Sequence, residues 1–291
     1  MIMGTLAQVA VDTDGQLHGV DQGYTAVSTD TRTLAPGDLF FALRGENFDA
    51  NNFVADAFAR GAAGAVVEQK AEVGLAQVQV KDSQSALGAI AREWRQQFSL
   101  PLIGITGSNG KTTVKELTAA ILRAAFPAAE GQSVLATQGN LNNEIGLPLT
   151  LLKLRAHHQA AVIEMGASES GDIATLAAIA KPNIVVISNA ARAHLLGFGS
   201  IEHVAATKGE LLDDLPQSAT AVLNRDDQFY SQWASRAGNV SLLNFGETSA
   251  ADFYAENIRV INIDGDIGFD FDLHTPSGSV DVSLPLAGQH N

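Results

Sequence analysis

The stretch Leu102-Ile103-Gly104-Ile105-Thr106-Gly107-Ser108-Asn109-Gly110-Lys111-Thr112-Thr113 decides the fold. Its first five residues form an apolar run suited to a buried strand. Gly107 to Gly110 make a turn, and a helix begins near Lys111 and runs to about Ala125. Helix-start amides, a lysine and two threonines compose a cradle for a phosphate-bearing ligand: Lys111 suits β- and γ-phosphates, Thr112 a magnesium ion. The common phosphate-loop pattern has glycine five residues before Gly110, where this chain has Ile105. An ordinary glycine-rich strand-to-helix turn therefore stays open as the bland alternative.

Working outward, apolar strands recur, each with a loop and a helix behind it: Leu102 to Thr106, Ala161 to Glu164, Ile184 to Ser188 and Ala221 to Asn224. That rhythm predicts a parallel sheet covered on both faces, with polar residues gathered at its carboxyl edge: Thr106, Glu164, Asn189 and Asn224. Glu164 ends an apolar strand where packing gives a carboxylate no purpose, and it suits Mg²⁺, although a strand-end acid facing solvent would read the same. His194 lies in a loop before Gly197-Phe198-Gly199-Ser200, and Lys208 on a helix-like segment beyond it. Taken alone, both read as ordinary surface or packing residues. The adjacent pair His157-His158 reads as solvated.

Upstream, short strand-like runs such as Asp38 to Leu43 and Ala65 to Val67 flank a helix-like stretch from Phe53 to Gly61, which is a small α/β unit. A helical segment from Ser85 to Phe98, apolar at Leu87, Ile90, Ala91 and Trp94, stops before Leu100-Pro101, where a join is expected. From Gly246 onward there are eight acids and one base, with period-two alternation over 268–273 that predicts edge strands or a hairpin. The chain stops at Ala287-Gly288-Gln289-His290-Asn291 and reads as cut within a domain.

The composition narrows the function classes. A chain of 291 residues with 46% hydrophobic content buries a core of about two domains. The net charge of −14 disfavours a broad grip on nucleic acid or an anionic membrane, so a polyanionic ligand must be held locally. Zero cysteines exclude disulfides, thiolate metal sites and a cysteine nucleophile. With acids near the N-terminus and no long apolar run, the expectation is a cytoplasmic protein.

Four separated stretches resemble the Mur ligases: Ser28-Thr29-Asp30-Thr31-Arg32 with 36–45; the phosphate loop with Val114-Lys115-Glu116; Gly139 to Pro148; and Glu164 through Glu210. The loop alone marks only the wider superfamily that includes folylpolyglutamate synthases. The runs Asn142-Asn143-Glu144-Ile145-Gly146-Leu147-Pro148 and Glu164-Met165-Gly166-Ala167-Ser168 point to the family's D-alanyl-D-alanine-adding branch. The resemblance implies an α/β fold: a UDP-substrate-binding domain at 1–84, then a parallel-sheet, P-loop-type ATPase domain at 85–291 that is incomplete at its end. On that resemblance, the family's third, C-terminal domain is expected to be absent from this chain.

The resemblance also implies roles. Thr106, Gly107, Ser108, Asn109, Gly110, Lys111, Thr112 and Thr113 would bind ATP, with Asn291 on the adenine side. Thr112 and Glu164 would share one Mg²⁺; His194 and Lys208, the latter as a carbamate, would serve a second. Ser28, Asp30, Arg32, Arg44 and Gly45 look like a uridine-nucleotide pocket, and Thr137, Gln138, Asn140, Asn142 and Asn143 would face the muramoyl-peptide. The implied reaction joins D-alanyl-D-alanine to UDP-MurNAc-tripeptide through an acyl phosphate, in a monomer. A sibling adding a single amino acid, or a nucleotide-binding fragment without ligase activity, is the alternative.

Overall fold

The structure, a computed structural model, describes residues 2–45, 48–128, 132–191, 198–263 and 266–285. In chain order, β1 (Gly4–Thr5), α1 (Leu6–Asp12), β2 (Gln16–His18), β3 (Gly23–Tyr24), β4 (Val27–Ser28) and β5 (Leu39–Phe41) come first. They are followed by β6 (Arg44–Gly45), β7 (Phe48–Asp49), α2 (Val54–Ala59), β8 (Gly64–Val67), β9 (Gln77–Gln79) and α3 (Ser83–Gln96). Next come β10 (Leu102–Thr106), α4 (Lys111–Ala125), β11 (Val134–Ala136), α5 (Gly146–Leu151), β12 (Ala160–Glu164), α6 (Asp172–Ala180) and β13 (Ile184–Ile187). The last are α7 (Ile201–Gly209), β14 (Thr220–Asn224), α8 (Tyr230–Ala237), β15 (Ser241–Gly246), β16 (Phe253–Ile263), β17 (Asp266–Thr275) and β18 (Gly278–Leu284). These elements form two compact units: Met1–Ser99 with Gln138–Ala156, and Leu100–Thr137 with His157–Asn291.

In the first unit the sheet order is β2-β9-β8-β5-β4, parallel except for the edge strand β2. Strands β5 and β8 are buried along their whole length, which is why they read as unbroken apolar runs. Phe40, Ala65 and Val67 pack with Val54 and Ala57 of α2 into one core. Asp82 starts α3 by accepting from the amides of Gln84 and Ser85. The helix buries Leu87, Ile90, Ala91 and Trp94, the stripe expected from their spacing. The indole of Trp94 donates to the Leu154 carbonyl at 3.2 Å, tying 138–156 into this unit.

The second unit is one sheet in the order β11-β12-β10-β13-β14-β15-β16-β17-β18. The strands from β11 to β16 are parallel, and β17 and β18 extend the edge as an antiparallel meander. The alternation over 268–273 thus belongs to a sheet-edge hairpin, as its period suggests. Helix α4 covers one face, where Ala119 packs among Ile103, Ile105, Val134, Ala160 and Val162. The chain runs from β12 to β13 by stepping across β10, so the strand order changes direction beside β10. Ligands of open α/β sheets bind outside the carboxyl ends at such a switch. No helix among the described residues is long and apolar enough to cross a membrane.

Candidate nucleotide-binding site

Strand β10 ends at the switch, and its connection to α4 is only Gly107 to Gly110. Ile105 is fully buried inside the sheet, paired with Glu164 on one side and Val186 on the other. The position that usually carries the first glycine of a phosphate loop is therefore a strand residue here, and needs packing in place of backbone freedom. Thr106 turns its hydroxyl away from the loop, donating to the Met165 carbonyl at 2.9 Å. Gly107, at φ 150°, lies so close to β13 that a Cβ would fall 1.9 Å from Ser188 Oγ. Gly110, at φ 77°, caps α4 without any side-chain bond, so the first turn presents its amides to the loop.

The loop is stapled from outside by the residues after β13. The Ser108 amide donates to the Asn189 carbonyl at 3.0 Å, and the Asn109 amide to Asn189 Oδ1 at 2.9 Å. Ser188 Oγ and Asn189 Nδ2 both donate to the Asn109 carbonyl, at 2.7 and 3.2 Å. Ser108 Oγ accepts from the Ala191 amide at 2.9 Å.

Within this frame Lys111 folds back, its Nζ donating to the carbonyls of Gly107 at 2.7 Å and Ser108 at 3.3 Å. Burial lowers its pKa, and the charge of Glu164 works against that shift. Thr112 Oγ1 donates to Glu164 Oε2 at 3.0 Å, so the helix start and the end of β12 meet as a hydroxyl–carboxylate pair. That donor set suits Mg²⁺, which prefers oxygen ligands and retains waters. Behind it, the Glu164 amide donates to Thr137 Oγ1 at 3.0 Å. Lys115, 1% exposed, donates to the Thr137 carbonyl at 2.9 Å and to Glu116 Oε1 at 2.6 Å.

Lys208, on α7, is 3% exposed, with its Nζ 5.8 Å from the centroid of the Phe198 ring. Burial pushes its pKa down to about 8; the charge of Lys111 adds to the shift, while Asp172 and Glu210 oppose it. Glu210 also accepts from the amides of Gly171 at 2.9 Å and Ala174 at 3.1 Å, joining the end of α7 to the start of α6. His194 and Asn291 lie outside the described residues. Among the described residues no three His, Asp or Glu side chains cluster as a metal site.

In the first unit, Asp30 and Arg32 line a cavity of about 550 Å³ with Thr29, Thr31, Phe40, Phe48, Ala50 and Phe53. Arg32 grips both oxygens of Asp30, and this hydrogen bonding draws the Asp30 pKa down to about 2. Ser28 Oγ donates to the Asp30 carbonyl at 2.9 Å, fixing the turn. Arg44 and Gly45 form β6, paired with β7, where Phe48 stacks on Phe53 at 5.7 Å. Between Thr137 and α5, Gln138, Asn140 and Asn143 are exposed, and Asn143 Oδ1 accepts from the Gly146 amide at 2.9 Å. Asn142 is half-buried, its amide donating to the Asn140 carbonyl at 2.8 Å.

Sequence reasoning singled out neither Ser188 nor Glu210, nor the aromatic wall of Phe40, Phe48 and Phe53. For the wall, the spacing of Phe48 and Phe53 around Asp49 to Asn52 was a usable signal. For Ser188 there was none, since its partners lie far away in the chain.

A parallel sheet whose switch point carries a glycine turn, Lys111, Thr112 and a strand-end carboxylate defines an α/β protein of the P-loop type. The chain belongs to the Mur ligase family: residues 105–291 match the Mur ligase middle domain, and residues 23–95 the Mur ligase family catalytic domain. It is 44% identical over 292 residues to the UDP-N-acetylmuramoyl-tripeptide--D-alanyl-D-alanine ligase of Escherichia coli, covering 100% of this chain and 62% of that protein. Its structure resembles that of MurF from Acinetobacter baumannii, with a TM-score of 0.90 and 36% identity over 98% of this chain and 61% of the other. A MurF ligase from Thermotoga maritima, solved in complex with ADP, matches with a TM-score of 0.77 and 29% identity over 91% of this chain and 59% of the other. The chain thus spans about three fifths of the length of these relatives.

Proposed function

We propose that this chain is the nucleotide- and acceptor-binding part of an ATP-dependent, ADP-forming ligase that joins D-alanyl-D-alanine to UDP-MurNAc-tripeptide. The observation that carries the reading is Lys111 folded into its loop, 2.7 Å from the Gly107 carbonyl, beside the Thr112–Glu164 pair at 3.0 Å. A lysine so placed exchanges backbone carbonyls for phosphate oxygens with little movement. The names of the relatives described above support the choice of acceptor and amine.

On this reading, the amides of 107–113 and the Lys111 ammonium hold the ATP phosphates. Thr112 and Glu164 hold Mg²⁺, which when bound neutralises charge on the phosphoryl oxygens. An acceptor carboxylate and the γ-phosphate repel each other, so Lys111 must cancel charge while the carboxylate oxygen attacks phosphorus and the bond to ADP breaks. The amine of D-alanyl-D-alanine then attacks the acyl carbon, phosphate departs with the bonding pair, and the amine's proton passes to solvent. Lys208, drawn toward the neutral amine, can attack CO₂ and lose a proton, becoming an anionic oxygen ligand for a second Mg²⁺ with His194. Ser28, Asp30, Arg32, Arg44 and Gly45 hold the uridine nucleotide, with Asp30 and Arg32 on the cavity wall. Thr137, Gln138, Asn140, Asn142 and Asn143 serve the peptide, and Asn291 the adenine.

Calorimetry of this chain with ATP tests the nucleotide half of the proposal. Binding should need Lys111 and strengthen with Mg²⁺, and its absence in the unsubstituted chain would remove the reading. For the reaction, ADP release is measured on a protein carrying this chain together with the family's C-terminal domain. Turnover should require UDP-MurNAc-tripeptide and D-alanyl-D-alanine; turnover with diaminopimelate on the dipeptide acceptor instead would assign the chain to a sibling activity.

A further inference from the structure

We propose that Lys115 is a positioning residue that holds Glu164 at metal-binding distance from Thr112. The inference rests on the nucleotide-binding reading above. Three hydrogen bonds and one turn of helix α4 close a ring. Thr112 Oγ1 reaches Glu164 Oε2 at 3.0 Å, the Glu164 amide reaches Thr137 Oγ1 at 3.0 Å, and the Thr137 carbonyl receives Lys115 Nζ at 2.9 Å. The fourth side is the helix itself, which carries Thr112 and Lys115 one turn apart. Thr137 is further pinned to β12 by its amide, which donates to the Val162 carbonyl at 3.1 Å.

A metal ion that takes oxygens from both Thr112 and Glu164 breaks the direct bond between them. The carboxylate is then kept in register with the helix by the other members of the ring, and Lys115 is the only member that crosses from α4 to Thr137. A buried ammonium is an expensive strut, since a methionine would fill the same space without desolvating a charge. Its carboxylate partner does not account for it, because the Glu116 side chain is 60% exposed. The carbonyl of Thr137 is the buried partner, and it is the one connected to Glu164. The turn from Gly107 to Gly110, by contrast, is stapled to Ser188 and Asn189 and uses none of these bonds. Losing Lys115 should therefore weaken the magnesium-dependent part of nucleotide binding and spare the rest.

The test measures ATP affinity by calorimetry, with Mg²⁺ and in EDTA, for the unsubstituted chain, Lys115→Met, Thr137→Val, the double variant and Glu116→Gln. Outer-shell partners of metal ligands are worth about ten- to a hundredfold in metal affinity. Lys115→Met should thus lose about tenfold in the presence of Mg²⁺ and less than about twofold in EDTA. Thr137→Val should behave alike, the double variant should be no worse than the weaker single, and Glu116→Gln should match the unsubstituted chain. In the metal-free protein, the Glu164 amide should exchange with solvent faster in Lys115→Met while amides of β14 stay unchanged. Equal losses with and without Mg²⁺, or no loss, would overturn the proposal. If Lys115→Met fails to fold, the contrast between Thr137→Val and Glu116→Gln decides the matter. Failure of the unsubstituted chain to bind ATP would sink the nucleotide reading instead, and the amide-exchange result would still judge the strut.

Discussion

Replacing Lys208 by methionine should make the protein more stable at neutral pH while disabling its proposed chemistry. A lysine ordinarily titrates at 10.5, and burial brings Lys208 to about 8. Below pH 8 the lysine is charged in both folded and unfolded chains, and the folded state bears the full penalty, about 3 kcal/mol for a displacement of this size. Between pH 8 and 10.5 the folded lysine is neutral while the unfolded one still binds a proton, so stability rises with pH. Above that range the penalty is gone. Methionine keeps most of the volume and never carries the charge, so Lys208→Met should gain roughly 2–3 kcal/mol at pH 7 and under about 1 kcal/mol near pH 10. The chain has two tryptophans, and Trp233 is fully buried against α7, its indole donating to the Ala205 carbonyl at 2.9 Å. In a Trp94→Phe background its fluorescence follows the second unit alone through urea unfolding at the two pH values, in buffer stripped of CO₂. A variant no more stable than its parent at pH 7, or a gain independent of pH, would refute the reasoning. The same displacement leaves about one lysine in ten neutral at pH 7, against fewer than about one in a thousand for an ordinary lysine.

Glu210→Gln removes a charge that raises the Lys208 pKa, so that pKa should fall further below 8, as read by NMR titration of the lysine side chain. With labelled bicarbonate, a carbamate signal should grow at pH 8 in the unsubstituted protein and be missing from Lys208→Met; its absence from both would leave Lys208 an unmodified buried amine. Gly107→Ala should cost more than about 2 kcal/mol and abolish ATP binding, because its Cβ would fall 1.9 Å from Ser188 Oγ and 3.2 Å from the Asn189 nitrogen. Calorimetry and urea unfolding check both effects. Arg32→Ala should return the Asp30 carboxyl from about 2 toward its ordinary value of 3.8, seen by NMR titration.

What the sequence made legible was local. A strand, four turn residues and a lysine at a helix start are neighbours in the chain, so Leu102 to Ala125 could be read directly, and Glu164 stood out because an acid ended an apolar strand. The residues that hold those parts in place are remote: Asn189 lies 80 positions from Asn109, and Glu164 52 positions from Thr112. No period or propensity reports such pairings. Lys115 was invisible for another reason. A lysine within a helix reads as solvated, and only the fold shows it enclosed between α4 and the end of β11. The return of 138–156 to the first unit was equally hidden, since it depends on bonds such as that from Trp94 to Leu154.

Ile105 joins these levels. In a loop that carries its own conformational freedom, glycine at this position lets the backbone curl around phosphate. Here the strand continues one residue further, through Thr106, and Ile105 is spent on the core between Glu164 and Val186. The turn that remains is short, and it takes its shape from Ser188 and Asn189 on the neighbouring strand end. Two consequences follow from that arrangement. The loop's geometry depends on the register of β10 against β13, so a substitution that shifts β13 should impair phosphate binding without touching the loop. The register of β10 against β12 separately sets where Glu164 meets Thr112. The Gly107–Gly110 turn and the Thr112–Glu164 pair thus hang on opposite edges of one strand, so under the proposed function phosphate and magnesium affinities should respond to different substitutions.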